Sequence, residues 1–335
     1  MPLLLADRAV LASPSALLTP ADCRMLGIPL SPQRLHRVRK GTYVDREQYE
    51  NLPSWAKYAV RVHAFALSHP DAILAFESAS VVHGLPRFGE TRDIHLFDPD
   101  RTRSRRFGDV VVHTSNDPRE FDRVHGLLTT GILDTVVDLA RALPPARALA
   151  VMDAAISTVQ GGPLSLDDIR IRAGEQENRR GRARLAWLLA HADGAAESPS
   201  ESVSRAVIEW CGFETPELQK EFRYEGSLDR GDFYFPTSRT IGEADGWQKY
   251  QLDDPEQAAQ SLTDEKRRED RLRRHGHSVA RWEFADAWKV DPLARALDAS
   301  GVRRVSHPQQ AMLATLRRDP REQPPTRRRE TSTRA

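Results

Sequence analysis

Two short strand-like runs in the last third of the chain constrain its fold more than any other feature. Arg230-Gly231-Asp232-Phe233-Tyr234-Phe235 and Thr240-Ile241-Gly242-Glu243-Ala244-Asp245-Gly246 flank a four-residue connection, Pro236-Thr237-Ser238-Arg239. Aromatic and β-branched residues interleaved with polar ones on either side of a short loop read as a β-hairpin. With that loop Phe235 faces Thr240, Tyr234 faces Ile241, Phe233 faces Gly242 and Asp232 faces Glu243. Directly opposed residues have Cβ atoms roughly 4.5–5.5 Å apart, and like charges there are destabilising. Asp245 shares the face of Glu243, because side chains alternate along a strand. The expectation is a patch of three carboxylates, Asp232, Glu243 and Asp245, beside apolar anchors at Phe233, Phe235 and Ile241. Such a patch calls for positive charge. A hard cation, Mg²⁺ or Mn²⁺, is one candidate and arginine side chains are the other; a slip of one residue would send Asp232 to the opposite face.

The neighbouring residues extend this reading. Lys249 lies just beyond the hairpin, placed to stabilise charge on a scissile phosphate. Ser198-Pro199-Ser200-Glu201 opens a helix that Gly212 closes, and the Ser198/Glu201 spacing is that of a capping box in which Glu201 reaches back to the Ser198 amide. Capping alone accounts for Glu201; a carboxylate at a helix end can also face a metal site. A charged helix over 261–275 carries Asp264 before Arg268, Glu269 before Arg273 and Asp270 before Arg274, pairs that support a solvated helix. Its surplus of basic residues, Arg267 and Arg271 among them, equally suits a nucleic-acid backbone.

Elsewhere the chain reads as an N-terminal segment (1–50), a mixed α/β unit (51–192), the hairpin unit (193–300) and a basic tail (301–335). Thr19-Pro20-Ala21-Asp22 starts a short helix that stops at Gly27, and a basic hairpin follows with Arg34, Arg37, Arg39 and Lys40. Those four side chains suit a phosphate backbone or a strand edge guarded by charge. Residues 72–76, 93–97 and 110–113 read as strands, 54–68, 132–143 and 145–156 as helices, and His83, His95 and His113 lack metal-ligand spacing. Composition closes off other classes. No apolar run approaches the length of a membrane span, mean hydropathy is −0.56, and Cys23 and Cys211 are too few for a disulfide framework, which together point to a cytoplasmic protein. Net charge is only +1, yet from residue 317 onward seven arginines stand against three acids, with prolines at 320, 324 and 325, so the tail reads as a largely disordered arm.

Several runs, taken in order, resemble a known family. Glu197-Ser198-Pro199-Ser200-Glu201, Pro216-Glu217-Leu218-Gln219, Gly231-Asp232-Phe233, Glu243-Ala244-Asp245-Gly246 and Arg268-Glu269-Asp270-Arg271-Leu272 with Gly276 are similar to DUF559 proteins, relatives of the very-short-patch-repair endonuclease in the PD-(D/E)xK superfamily. The resemblance implies a restriction-endonuclease-like C-terminal domain. Asp232 would be the central metal ligand, Glu243 and Asp245 the second acidic motif, and Glu201 a contribution from the first helix. Lys249 stands where that branch usually has histidine. Ser78-Ala79-Ser80-Val81-Val82-His83-Gly84-Leu85 and Asp134-Thr135-Val136-Val137-Asp138-Leu139-Ala140 resemble the middle domain of AbiEi-type antitoxins of type IV toxin–antitoxin systems, whose N-terminal winged helix the first segment resembles in degenerate form. The expected whole is an α/β (α+β) multidomain protein that interacts with DNA and hydrolyses phosphodiester bonds with Mg²⁺ or Mn²⁺. The alternative is a non-catalytic antitoxin-like transcriptional regulator paired with a cognate toxin.

Overall fold

The computed structural model describes residues 2–245, 255–317 and 319–322, with the backbone alone over 255–262. The architecture is α+β, built among these residues on three β-sheets. The N-terminal segment holds Leu5–Arg8 (α1), Pro20–Met25 (α2), Leu35–Arg39 (β1), Thr42–Asp45 (β2) and Arg46–Asn51 (α3). Thr19 accepts from the Asp22 amide and the Asp22 carboxylate returns to the Thr19 amide at 2.8 Å, so α2 begins where its cap dictates. β1 and β2 pair antiparallel through a turn at Gly41, whose φ of +78° favours glycine.

The middle unit runs through Ser54–Ser68 (α4), Ile73–Leu74 (β3), Phe76–His83 (α5), Ile94–Phe97 (β4), Arg105–Phe107 (β5), Val110–His113 (β6), Phe121–Val124 (β7) and Leu127–Thr130 (β8). Ile132–Ala142 (α6), Pro145–Ile156 (α7), Leu166–Glu175 (α8) and Arg182–His191 (α9) complete it. Its strands order as β5-β6-β4-β3-β8-β7. The strand expected over 72–76 is cut short, because Phe76, at φ +49°, already opens α5.

The third unit comprises Pro199–Trp210 (α10), Glu217–Tyr224 (β9), Ser227–Phe235 (β10), Thr240–Asp245 (β11), Pro255–Arg274 (α11), Ser278–Glu283 (β12), Phe284–Lys289 (α12), Asp291–Ala299 (α13) and Gln310–Ala314 (α14). Its sheet orders as β12-β11-β10-β9, with β11 and β12 parallel, α10 against one face and α11 against the other. One apolar core joins α6 and α7 of the middle unit to α10 and the inner sheet face, through Val136, Leu149, Val207, Trp210, Phe233 and Trp282. Apolar packing is therefore continuous across residue 192, and Arg205 of α10 meets the buried Asp153 of α7 at 2.6 Å. The tail departs from its expectation: Leu316 enters that core, and residues 319–322 lie against the middle unit by hydrogen bonds and ion pairs.

Candidate functional site

The hairpin pairs in the expected register, Phe233 with Gly242, Tyr234 with Ile241 and Phe235 with Thr240. Its side chains do not keep the expected faces. A methyl on Gly231 would lie 2.6 Å from Ile241 Cγ2 and 3.8 Å from Glu243 Oε1, so position 231 points to the α11 face. Phe233, two residues on, packs on Trp282 and the α10 core. Regular alternation would put both on one face. β10 therefore flips between them, at Asp232. Across the ladder the partner strand flips too: Gln219 of β9 sits at φ +52°, and the pairing passes from Gly231–Lys220 to Phe233–Leu218, skipping the residues between. A left-handed conformation in a residue with a Cβ carries strain of order 1–2 kcal/mol, which the surrounding packing must hold.

The flip separates the expected acids. Glu243 and Asp245 lie on the α11 face, where Arg268 meets Glu243 at 2.7 Å and Arg281 lies 3.8 Å from Asp245. Asp229, on the same face, takes a two-pronged pair from Arg271 at 2.6 and 2.8 Å. Asp232 turns with Arg230 toward α10; Arg230 pairs with Glu197 at 2.8 Å, and the Asp232 charge acts on Glu201. The Asp232 Oδ2 accepts from the Ala244 amide at 2.9 Å, which fixes the carboxylate at the edge of β11. The patch of Asp232, Glu243 and Asp245 on one face is thus corrected. The structure instead brings Asp232 to Glu201.

Glu201 is 5% exposed, at the first turn of α10. Its Oε1 accepts from the Ser198 hydroxyl at 2.8 Å, and its Oε2 accepts from the Glu197 amide at 2.9 Å and the Gln219 carboxamide at 2.8 Å. The cap expected at Ser198 forms, though the carboxylate returns to the amide one residue earlier. All three donors are neutral. Burial, reinforced by the charge of Asp232, pushes the Glu201 carboxyl up to about 7. A buried carboxylate met by neutral donors and standing beside a second carboxylate is a place where added positive charge is strongly favoured. Oxygen donors suit Mg²⁺, which is commonly held by one or two carboxylates while water and phosphate oxygens complete its shell. The donor set therefore fits a two-carboxylate cation site; among the described residues no group of three or more His, Cys, Asp or Glu side chains forms a ligand set.

The other expected residues divide. Lys249 lies outside the described residues. Arg34, Arg37 and Lys40 are exposed on the β1–β2 hairpin, and Arg267 is exposed on α11 beside Asp264 at 3.6 Å. Arg39 and Arg271 are ion-paired within the chain: Arg39 with Asp109 at 2.9 Å beside the Phe65 ring, and Arg271 with Asp229. Of the expected helix pairs Glu269–Arg273 forms at 2.7 Å, while Arg268 reaches across to Glu243 on β11 and Arg274 to Glu225 in the β9–β10 turn. Glu197 and Gln219 carry roles that single-residue reasoning missed. Gln219 ends the Pro216-Glu217-Leu218-Gln219 run, and the sequence signal for β9 is Phe222 and Tyr224 before the Glu225-Gly226 turn, whose two residues both have positive φ.

No family model matches the chain. Among curated proteins, the chain is 32% identical over 221 residues to the uncharacterized protein MT2308 of Mycobacterium tuberculosis (strain CDC 1551 / Oshkosh), covering 66% of this chain and 77% of the relative. The uncharacterized protein Rv2248 of Mycobacterium tuberculosis (strain ATCC 25618 / H37Rv) matches with the same identity and coverage.

Proposed function

The chain belongs to the same family as those two Mycobacterium tuberculosis proteins, and from its own site we propose that it is a DNA-interacting protein that hydrolyses phosphodiester bonds in a divalent-cation-dependent reaction at the Glu201–Asp232 pair. The observation that carries this reading is Glu201: a buried carboxylate whose donors among the described residues are neutral, and whose carboxyl is raised by burial and by Asp232. Mg²⁺ or Mn²⁺ bound there supplies an activated water and neutralises charge on the phosphate. The chain's residues prepare that chemistry. Asp232 is oriented by the Ala244 amide, and Glu201 by the Glu197 amide and Gln219. Glu201 serves as a ligand in its ionised form, which becomes the major one above about pH 7. The exposed Arg34, Arg37, Lys40 and Arg267 give the DNA backbone its contacts.

Plasmid incubated with the purified chain tests this. Nicking with Mg²⁺ or Mn²⁺, abolished by EDTA and by Asp232→Asn, is the expected result. The outward Arg34, Arg37 and Lys40 also favour a second reading, a non-catalytic antitoxin-like DNA-binding regulator acting with a cognate toxin. Metal-independent retention of DNA with intact plasmid selects that reading over the first.

A further inference from the structure

Residues 319–322 occupy a cleft of the middle unit far along the chain from their own elements. Arg321 forks onto Glu77, with Nη2 2.5 Å from Oε2 and Nε bonded to Oε1. The Phe76 ring lies 5.3 Å from the guanidinium carbon, and His95 Nε2 lies 3.2 Å from Nη2. A carboxylate fork, an aromatic face and an imidazole acceptor together match the planar guanidinium, and a lysine ammonium cannot reproduce the fork. Glu77 and His95 are buried, so these groups form a built pocket rather than a surface contact.

The flanking residues hold the segment as a strand-like strap. Arg92 donates its amide to the Arg321 carbonyl at 2.7 Å, and Thr91 and Glu322 form an antiparallel bridge. Arg147 of α7 reaches Asp319 at 3.0 Å and Glu322 at 2.5 Å. Gly89 leaves room for the strap, since a methyl there would overlap the Glu322 carboxylate. Upstream, α14 is tied to α10, where the Gln309 amide donates to the Trp210 carbonyl at 2.7 Å.

We propose that Phe76, Glu77 and His95 form an arginine-recognition pocket whose ligand is the chain's own strap 319–322, and that its engagement fastens the middle unit to the C-terminal one. The pocket walls all come from the middle unit, so the ligand is separable from its receptor by one loop's displacement. Behind Arg321 stands a pair of imidazoles, His95 Nδ1 and His113 Nε2, 2.9 Å apart. Burial pushes both histidines down, to about 3 and about 4, with Arg321 adding to the effect and Glu77 opposing it; Asp93 also faces His95. Withdrawal of Arg321 therefore leaves a trace in the titration of His113.

The test uses the full chain carrying Arg321→Ala, titrated with a synthetic peptide of residues 316–323 and with the same peptide carrying Arg321→Lys. The proposal expects the variant to bind the arginine peptide roughly tenfold more tightly than the lysine peptide. The natural chain, its pocket filled, binds neither, and adding Glu77→Gln to the variant abolishes binding. By NMR the His113 titration moves up in Arg321→Ala and returns toward its starting point on adding the arginine peptide. If Arg321→Ala does not fold, full-length Arg321→Lys takes its place, with the same preference between peptides expected. Equal binding of the two peptides, equal binding by the natural chain, or no binding by either folded variant overturns the proposal.

Discussion

The two faces of the C-terminal sheet carry carboxylates drawn from the same hairpin, yet they are neutralised in different ways. On the α11 face Asp229, Glu243 and Asp245 each meet a guanidinium, from Arg271, Arg268 and Arg281. On the α10 face Glu201 accepts from two amide-type donors and a hydroxyl, while Arg230 pairs with Glu197. The first arrangement is finished: its charges are balanced within the chain. In the second, the donors that meet Glu201 among the described residues are neutral. Carboxylates are thus ion-paired on one side of the sheet, while Glu201 on the other is met by neutral donors, through what each helix brings opposite them.

The sharpest way to break this contrast is to neutralise one acid at a time. Asp232→Asn and Glu201→Gln are each expected to reduce metal-dependent plasmid nicking on the order of 10³-fold, the loss of several kcal/mol of charge stabilisation. Glu243→Gln is expected to keep nicking. Were Glu243→Gln as damaging as Asp232→Asn, both faces would share one centre. On the α11 face the effect belongs to stability instead. Removing the guanidinium of Arg268 from the buried Glu243 is expected to lower unfolding free energy by about 1–3 kcal/mol in urea titrations, with cleavage retained.

The Glu201 carboxyl gives the contrast a pH signature. Its folded-state value, about 7, lies above the roughly 4.3 of an unfolded glutamate, so the folded chain holds this proton more tightly than the unfolded one. Without metal, stability is therefore expected to rise as pH falls from 8 toward 5 at this site, and Mn²⁺ affinity to fall over the same range. Glu201→Gln should flatten both profiles; a profile unchanged by that substitution assigns the titration elsewhere. Gln219→Ala removes a donor to ionised Glu201 and is expected to weaken Mn²⁺ binding about fivefold, measured by calorimetry. The smallest effect belongs to the exposed Glu269–Arg273 pair, where Arg273→Ala is expected to change stability by only about 0.3–0.5 kcal/mol.

Particular residues show which of these features the sequence discloses. The hairpin register is legible because the loop length sets it, and the start of α10 is legible because Ser198 caps locally. The face of Asp232 is not legible. It depends on a joint distortion of two strands, with Gln219 held left-handed across the ladder, and no periodicity within β10 announces that. Likewise Glu269 and Arg273 find each other within one helix, whereas Arg268 and Arg271 are drawn to strand acids and Arg274 to Glu225 in the β9–β10 turn once α11 packs on the sheet. Tertiary proximity displaces local pairing there. Arg321 is the extreme case, a residue in a tail of disordered composition whose partner Glu77 is 244 positions away.

The central claim, that Glu201 and Asp232 together take a divalent cation, is tested most directly by calorimetric titration of the full chain with Mn²⁺ at pH 8. One site is expected in the natural protein and in Glu243→Gln, and none in Glu201→Gln or Asp232→Asn. A site that survives both of the last two substitutions, or one that vanishes with Glu243 alone, would contradict it.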